Sequence, residues 1–408
     1  MKKYIKKLCG MLLCVMFVYL ISNINIELIA SLQKGDVITI SNLQAINNSK
    51  QFGNIVDSKI NENIITTTGS EMTTTTMTIK LFGFIPIKNV EIVVCPDKNV
   101  YLGGIPLGFS LSTKGVIVVG QNSVKSFEGN KVSEKSVELK NGDILVKVDG
   151  VEVYDIAKIK DILAQSNGKN ITLTLDRNGK IFTCEIKPVF DMEEQEYKLG
   201  LWVRNESQGI GTLTFVTENN EFGALGHPIC DYETGAKIPV ASGEIYNCST
   251  LGITKGTKGN AGELRCLFVQ GNNSKGNIIK NTKFGVFGNI TDKENIVDKN
   301  LQADVGTRMN VKTGDAKIVS SVSGIIEEYD IEIIKTYYQP KSSDKSFVFR
   351  VKDKRLIDQT GGIIQGMSGS PIVQDGKLVG AVTHVFLYDP TKGYGVYAEW
   401  MLDEVENM

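Results

Sequence analysis

The sequence lacks features that would point to several common classes of function. Its 45 Lys and Arg residues are balanced by 46 Asp and Glu, a net charge of −1 without the basic excess that nucleic-acid binding requires. Only two histidines and no C-x-x-C pair are present, which leaves few ligands for zinc. The stretch GITKGTKG lacks the G-x-x-x-x-G-K-[ST] spacing of a phosphate-binding loop. We therefore expect no nucleic-acid partner, no metal and no cofactor.

Cysteine usage does not indicate a disulfide framework. Of the seven cysteines, Cys9 and Cys14 lie in an apolar N-terminal stretch, which leaves five elsewhere, an odd number to pair. We interpret these five as single, buried thiols.

The N-terminus has the order of an export signal. Four lysines precede an uncharged run from Leu8 to Ile21, and polar residues follow without a clear small-residue cleavage site. We expect the rest of the chain to be exported, with residues 1–31 as a signal-anchor. Whether this segment is removed stays open, because its apolar run is short for a full membrane span.

The body of the chain is predicted to be mainly β. With 408 residues it exceeds what one hydrophobic core usually organises, and its 41 glycines and many short Val, Ile and Thr runs favour strands joined by tight turns. We predict a small β-rich domain over residues 32–98, a second domain over 99–190 and a third over 191–408.

The second domain resembles a PDZ domain. Apolar residues recur at helical spacing over residues 156–163, after strands and Asp-Gly turns in NGDILVKVDGVEV. The PLGF stretch resembles the PDZ loop whose backbone N–H groups bind the terminal carboxylate of a peptide. The resemblance implies strand addition of an extended peptide, with Leu107, Gly108 and Phe109 as the binding residues.

The third domain contains a serine between glycines, in GMSGSP. Glycines permit a constrained turn that exposes a hydroxyl, and the N–H groups of Gly366 and Ser368 can converge beside the Ser368 hydroxyl as an oxyanion hole. By itself this motif is weak, because Gly-Ser turns are common.

The residues after this serine resemble the end of a chymotrypsin-like protease. They include a hairpin through Asp-Gly, the strand that ends in Val-Thr-His, and the GYGVY strand. The resemblance implies a double β-barrel in which the Thr383–His384 strand lines the substrate cleft. This chain departs from the family at Met367, where Asp is usual, and at Ser370, where Gly is usual.

Only two histidines can serve as the base. His384 follows Ser368 by 16 residues, whereas His227 lies far upstream in FGALGHPI. The chymotrypsin-like resemblance implies a base from the first barrel and a nucleophile from the second, and His227 fits that order. We interpret His384 as part of the cleft wall.

Taken with the PDZ-like domain and the anchor, several motifs are similar to the stage IV sporulation protein B family, the signalling serine peptidases of endospore-forming bacteria. These motifs are FGALGHPI, GITKGTKGNAGEL, VKDKRLIDQTGGIIQGMSGSPIVQDGKLVGAVTHVF and GYGVYAEWML. The resemblance implies Asp353 as the acid that orients His227. Spacing alone also admits Asp304 or Asp231.

The resemblance further implies a function. It predicts an exported, self-cleaving serine endopeptidase that enters the space between the forespore membranes and cuts a membrane-bound regulator of an intramembrane protease. That cut would lead to activation of the late mother-cell sigma factor, sigma-K. The alternative is a catalytically inert, PDZ-based binding scaffold at the forespore membrane.

Overall fold

The computed structural model describes residues 98–408, apart from 134, 136, 178, 269–272, 292, 294–295, 309, 338 and 340, together with the backbone of three earlier strands. Its contacts divide the chain into two compact units, residues 1–98 with 338–342, and residues 99–337 with 343–408.

The first unit contains an antiparallel sheet within the predicted β-rich segment 32–98. Its strands pair in the order β1 Val56–Lys59, β2 Thr73–Leu81 and β3 Ile85–Val94. The predicted anchor, residues 1–31, lies outside the described residues. Within the described part, no helix has the length and apolar character needed to cross a membrane.

The second unit is mainly β, as predicted. Its strands are β4 Asn99–Leu102, β5 Pro106–Gln121, β6 Val124–Ser126, β7 Gly129–Lys131, β8 Ile144–Val148, β9 Val151–Glu152, β10 Ile171–Arg177, β11 Lys180–Ile186, β12 Val189–Asp191, β13 Glu196–Lys198, β14 Leu201–Val216, β15 Glu221–Ala224, β16 Val240–Asn247, β17 Ser249–Thr254, β18 Glu263–Leu267, β19 Gly276–Thr282, β20 Gly285–Ile290, β21 Gln302–Val305, β22 Gly314–Ser320, β23 Glu327–Thr336, β24 Phe347–Val351, β25 Pro371–Gln374, β26 Lys377–Phe386 and β27 Asp389–Tyr397. Its helices are α1 Ile156–Ser166, α2 Lys354–Thr360 and α3 Ala398–Glu406.

Two closed rings of strands organise most of this unit. The first ring runs β5, β14, β15, β20, β19, β16 and back to β5. The second runs β22, β23, β24, β27, β26, β25 and back to β22. Closure leaves each barrel without open edges in the ring and gives each its own apolar interior. The two rings agree with the predicted double β-barrel.

Strands β4 and β21 connect the barrels. Strand β4 pairs with β14 of the first barrel and with β21, which in turn lies parallel to β26 of the second barrel. Strands β14 and β26 are therefore linked across the barrels through β4 and β21.

A third core lies under α1 and is built from β5, β8, β10, β11 and the start of β14. Helix α1 matches the predicted helical spacing: Ile159 and Leu163 are buried, and the Asp155 carboxylate caps the helix by accepting from the Lys158 N–H at 2.7 Å. This core begins at Val116, later than the predicted domain start at residue 99. Strand β5 is long enough to serve the first barrel with its first half and the third core with its second.

Candidate active site

Ser368 lies in a tight loop, Gly366–Ser370, between α2 and β25, which we call the serine loop. The Ser370 N–H donates to the Met367 carbonyl at 2.9 Å, and the Gly369 N–H donates to Val382 of β26 at 2.7 Å. These bonds attach the loop to the second barrel.

Strand β14 of the first barrel attaches the loop from the opposite side. The Thr212 N–H donates to the Ser368 carbonyl at 2.8 Å, and the Thr212 hydroxyl donates to the Gly366 carbonyl at 2.7 Å. The Thr214 hydroxyl donates to the Gly369 carbonyl at 2.7 Å. Both threonines are buried. Neither was predicted from sequence, although two threonines two positions apart on a strand share a face.

Gly369 packs closely against the main chain of the first barrel. Its φ of +96° lies in the left-handed region, and a Cβ there would overlap the Thr212 carbonyl oxygen and approach the Leu225 nitrogen. Because Leu225 precedes His227 by only two residues, this contact places the serine loop beside the segment that carries the histidine.

His227 follows β15 of the first barrel and faces β26 of the second. A Cβ on the preceding Gly226 would lie 3.0 Å from the Thr383 methyl group, and the His227 and His384 ring centroids are 5.3 Å apart. The Ser368 hydroxyl donates to the Thr383 carbonyl at 2.8 Å. The structure therefore brings Ser368, His227 and His384 together at the barrel interface.

A backbone carbonyl determines the tautomer of His227. The His227 Nδ1 atom lies 2.9 Å from the Pro228 carbonyl oxygen. Because a carbonyl oxygen can only accept, this bond requires a proton on Nδ1 and leaves the lone pair on Nε2. The neutral ring is also favoured, because burial lowers the pKa of His227 and of His384 below the ordinary value.

The predicted oxyanion-hole donors are free to bind. Within the described part of the chain, the N–H groups of Gly366 and Ser368 donate no hydrogen bond. They flank Met367, whose own N–H donates to the Ile364 carbonyl at 3.1 Å.

The two departures from the chymotrypsin-like pattern are both buried. Met367 is fully buried in the core of the second barrel, an environment that would penalise the usual Asp. Ser370 is also fully buried, and its hydroxyl has no hydrogen-bond partner among the described residues.

Asp353, the acid implied by the family resemblance, is not hydrogen bonded to His227. It is the N-cap of α2, where it accepts from the Arg355 N–H at 2.9 Å and pairs with the Arg355 guanidinium at 2.8 Å. The hydrogen bond from Arg355 lowers the pKa of the Asp353 carboxyl. Its role as the triad acid stays a prediction.

The two alternative acids also have other partners. Asp304 accepts from the Asn99 side chain at 3.3 Å, and buried Asp231 accepts from Arg204 at 3.1 Å and from Thr234 at 2.9 Å. Across the described residues, no carboxylate is hydrogen bonded to His227, which is oriented by the Pro228 carbonyl instead.

The structure does not agree with the peptide groove predicted at Leu107, Gly108 and Phe109. This stretch of β5 pairs with β14 along one edge and with β16 along the other, and the Leu107 and Phe109 side chains are 0% exposed inside the first barrel. No edge is left for a peptide to join. The prediction was wrong because closure of the barrel, a long-range feature, covers both edges.

A different groove has the unpaired strand edge that binding of a peptide by strand addition requires. A cavity of about 490 Å³ lies between α1 and residues 199–203, and it is lined by Ile156 and Leu163 of α1. Residues 201–204 pair with β5 on one edge only, and no strand of the described chain pairs with the edge facing α1. Gly200, with φ of +63°, forms the bend before this edge. The sequence feature that could have indicated this groove is Leu199-Gly200-Leu201, which repeats the Leu-Gly-apolar pattern of Leu107-Gly108-Phe109.

Two known protein families match different parts of this unit. The sequence profile described as PDZ domain matches residues 136–177, and the profile described as SpoIVB peptidase S55 matches residues 195–402. The second match covers just over half of the 408-residue chain and includes both His227 and Ser368.

Individual relatives are more distant. The chain is 31% identical over 87 residues to the serine protease Do-like HtrA of Lactobacillus helveticus, 21% of each sequence, so it spans about a fifth of that relative. The HtrA-type protease AlgW with a decapeptide is 14% identical with a TM-score of 0.27, covering 51% of this chain and 53% of AlgW. The Rv3671c protease of M. tuberculosis in its inactive form is 13% identical with a TM-score of 0.26, covering 48% and 84%. On the profile matches, the chain belongs to the SpoIVB peptidase S55 family and contains a PDZ domain.

Proposed function

We propose that this chain is a serine endopeptidase and acts in sporulation as an exported signalling protease. It is held at the forespore membrane by its N-terminal segment or released into the intermembrane space, cleaves itself, and then cleaves a membrane-bound regulator of an intramembrane protease. That cut leads to activation of sigma-K. Family membership supports the sporulation role, and the placement of Ser368 against Thr383 and of His227 against His384, on the same strand β26, supports the peptidase chemistry.

In the proposed mechanism, Ser368 is the nucleophile and His227 is the general base. The Ser368 hydroxyl rotates from the Thr383 carbonyl toward His227, whose Nε2 lone pair accepts its proton as the hydroxyl attacks the scissile carbonyl. The N–H groups of Gly366 and Ser368 stabilise the oxyanion. His227 then gives the proton to the leaving amine.

A serine-reactive fluorophosphonate tests the peptidase chemistry on the full-length chain. Covalent labelling of wild type that is lost in Ser368→Ala supports the proposal. A folded wild-type protein that resists labelling contradicts it.

One observation favours the scaffold as a second candidate. The Ser368 hydroxyl donates to a backbone carbonyl and not to an imidazole, so the nucleophile is not aligned for attack in this conformation. A protein that binds peptides through the α1 groove but neither reacts with fluorophosphonate nor hydrolyses any peptide is the result expected of a scaffold.

The sporulation role needs a test in cells. Mass spectrometry of new N-termini in sporulating cells should detect self-cleavage of this chain and cleavage of a membrane protein. Both sets of N-termini should disappear in cells that carry Ser368→Ala. Identical N-termini in the two strains would contradict the proposed role.

The pH dependence of turnover should reflect the buried base. Since burial lowers the pKa of His227, the neutral ring persists to lower pH, and kcat/KM should fall only below about 6.5, the ordinary histidine pKa. The measurement is a pH profile of kcat/KM, with His384→Gln as control, because the pKa of this neighbouring imidazole is also lowered, chiefly by burial. An acid limb centred above 6.5 would contradict this assignment.

Thr212→Val should weaken the serine loop without changing its bulk. The substitution removes the hydroxyl donor to the Gly366 carbonyl and leaves a buried acceptor unpaired, which costs about 1–3 kcal/mol. We expect kcat/KM to fall about tenfold, with a lower unfolding midpoint. Thr172→Val, at an exposed position on β10, is the matched control and should leave both quantities unchanged.

Peptide binding should depend on the α1 groove. Ile156→Asp places a charge in its apolar lining and should lower affinity for a peptide with an apolar, free C-terminus by at least about tenfold, measured by fluorescence anisotropy. Lys158→Ala on the exposed face of α1 is the control. Gly108→Val should instead destabilise the first barrel, because its Cβ would overlap the Phe268 ring. Unchanged affinity in Ile156→Asp would exclude this groove.

A further inference from the structure

A second groove, of about 430 Å³, opens directly beside the serine loop. Its walls are residues 208–210 of β14, strand β18 with Phe268, and the segment Gln365–Gly366. Because Gly366 carries one of the two proposed oxyanion donors, a chain bound in this groove would lie within a residue or two of the scissile bond.

The wall formed by β18 is fixed to the serine loop. The Leu264 N–H donates to the Gln365 carbonyl at 2.8 Å, and the Gln365 N–H donates to the Gly262 carbonyl at 2.8 Å. Beyond β18, the Phe268 ring stacks on Tyr246 of the first barrel with centroids 5.7 Å apart. The groove is thus held open from both barrels.

The opposite wall offers main-chain groups for pairing. The N–H and carbonyl of Thr212 both point away from β5, to Ser368 at 2.8 Å and to Leu225 at 3.1 Å. Alternate residues of a strand point the same way, so Ile210 and Gln208 present their main-chain groups to the groove. Strand β15 pairs with this edge of β14 only from Leu213 onward, and among the described strands none pairs with it at residues 208–210. An extended peptide can therefore join it.

The lining indicates what kind of side chain the groove accepts. Ile210, Leu264 and Phe268 supply an apolar surface, whereas Glu263 places a carboxylate at the groove. Burying a large apolar side chain against this surface is favourable by about 1.5–3 kcal/mol, and an acidic side chain would meet repulsion from Glu263.

We propose that this groove binds the leaving-group half of the substrate and selects a large apolar residue immediately after the scissile bond. The Ser368 hydroxyl, to which the acyl half becomes attached, lies against Thr383 of β26. The groove lies on the other side of the loop, at Gly366 and β14, where the departing amine half is directed. This inference rests on the proposed peptidase function.

Acyl transfer from p-nitrophenyl acetate to amino-acid amides isolates this half of the site. The acetyl ester on Ser368 Oγ breaks, an amide bond to the added amine forms, and the amine proton returns through His227 to Oγ. The acetyl group is too small to reach other subsites. Differences among the amines in the efficiency of acetyl capture therefore measure the selectivity of the groove. The full-length chain is assayed near pH 9, where the amines are largely neutral, and N-acetyl amide is measured against acetate.

Leucinamide and phenylalaninamide should capture the acetyl group at least about tenfold more efficiently than glycinamide, and aspartic acid diamide should gain nothing. Gly209→Leu should abolish this preference by filling the groove, whereas Gly209→Ala should keep part of it. A Cβ at Gly209 would meet no atom within 4 Å, so Gly209→Ala requires no shift of the fold, and the unfolding midpoint of Gly209→Leu is measured beside its selectivity.

The outcomes separate the two proposals. A burst of p-nitrophenol with equal capture by all amines overturns the groove assignment and leaves the peptidase intact. Retention of the apolar preference in Gly209→Leu also overturns it. Absence of any acetyl-enzyme in wild type overturns the proposed function and this inference with it.

Discussion

Ser368→Ala is expected to lower peptide hydrolysis by about four to six orders of magnitude, and His227→Ala to do the same. The two groups act as one unit, because the hydroxyl is a weak nucleophile until Nε2 of His227 accepts its proton. The double variant should therefore be no slower than either single variant. The measurement is kcat/KM on one peptide substrate for all three variants, together with the length of the chain recovered, since self-cleavage should fail in each.

His384→Ala is the matched control for the histidine. The two imidazoles lie with their centroids 5.3 Å apart, so both are near the nucleophile, but only His227 is held by a hydrogen bond from Nδ1 to a carbonyl. We expect His384→Ala to retain turnover. Loss of activity in His384→Ala with activity retained in His227→Ala would show that the base is the other ring.

Candidate residues for this site could be predicted from sequence because their chemistry is scarce. Two histidines in the whole chain and one serine in a Gly-x-Ser-Gly-Ser-Pro turn leave few combinations. The chymotrypsin-like resemblance then implies that base and nucleophile come from different barrels, and in the structure His227 follows β15 of the first barrel and Ser368 precedes β25 of the second.

The residues that hold the serine loop in place could not be predicted in the same way. Thr212 and Thr214 act through hydrogen bonds to residues about 155 positions later in the chain, and no local pattern reports such pairs. The same limit explains the misplaced peptide groove. Leu107-Gly108-Phe109 and Leu199-Gly200-Leu201 look alike locally, and only the strand pairing shows that the first is enclosed and the second has a free edge.

Asp353 is where the family resemblance and the geometry give different expectations. The resemblance implies a carboxylate that orients His227, whereas the structure shows a helix N-cap paired with Arg355. Helix α2 begins at this cap and leads, through Gly361, directly into the serine loop. Loss of the cap should therefore displace Ser368, because the two are connected through the backbone.

Asp353→Ala is expected to lower kcat/KM by about a hundredfold, because loss of a cap costs about 1 kcal/mol and a nucleophile displaced by about 1 Å loses rate to this extent. The unfolding midpoint should fall as well. Asp304→Ala and Asp231→Ala serve as the comparison. Asp231→Ala should lower stability, because it leaves Arg204 without a buried partner, and Asp304→Ala should have little effect.

Asp353→Asn distinguishes a cap from a triad acid. Asparagine caps helices as well as aspartate does, so a structural role predicts that Asn restores most of the activity lost in Ala. An orienting acid predicts the opposite, since replacing the triad carboxylate by an amide favours the wrong histidine tautomer and costs about four orders of magnitude in rate. From the geometry we expect rescue by Asn, with the acid limb of the pH profile unchanged. If Asn is as inactive as Ala while the protein remains folded, Asp353 acts on His227 directly, and the catalytic conformation brings the two side chains together.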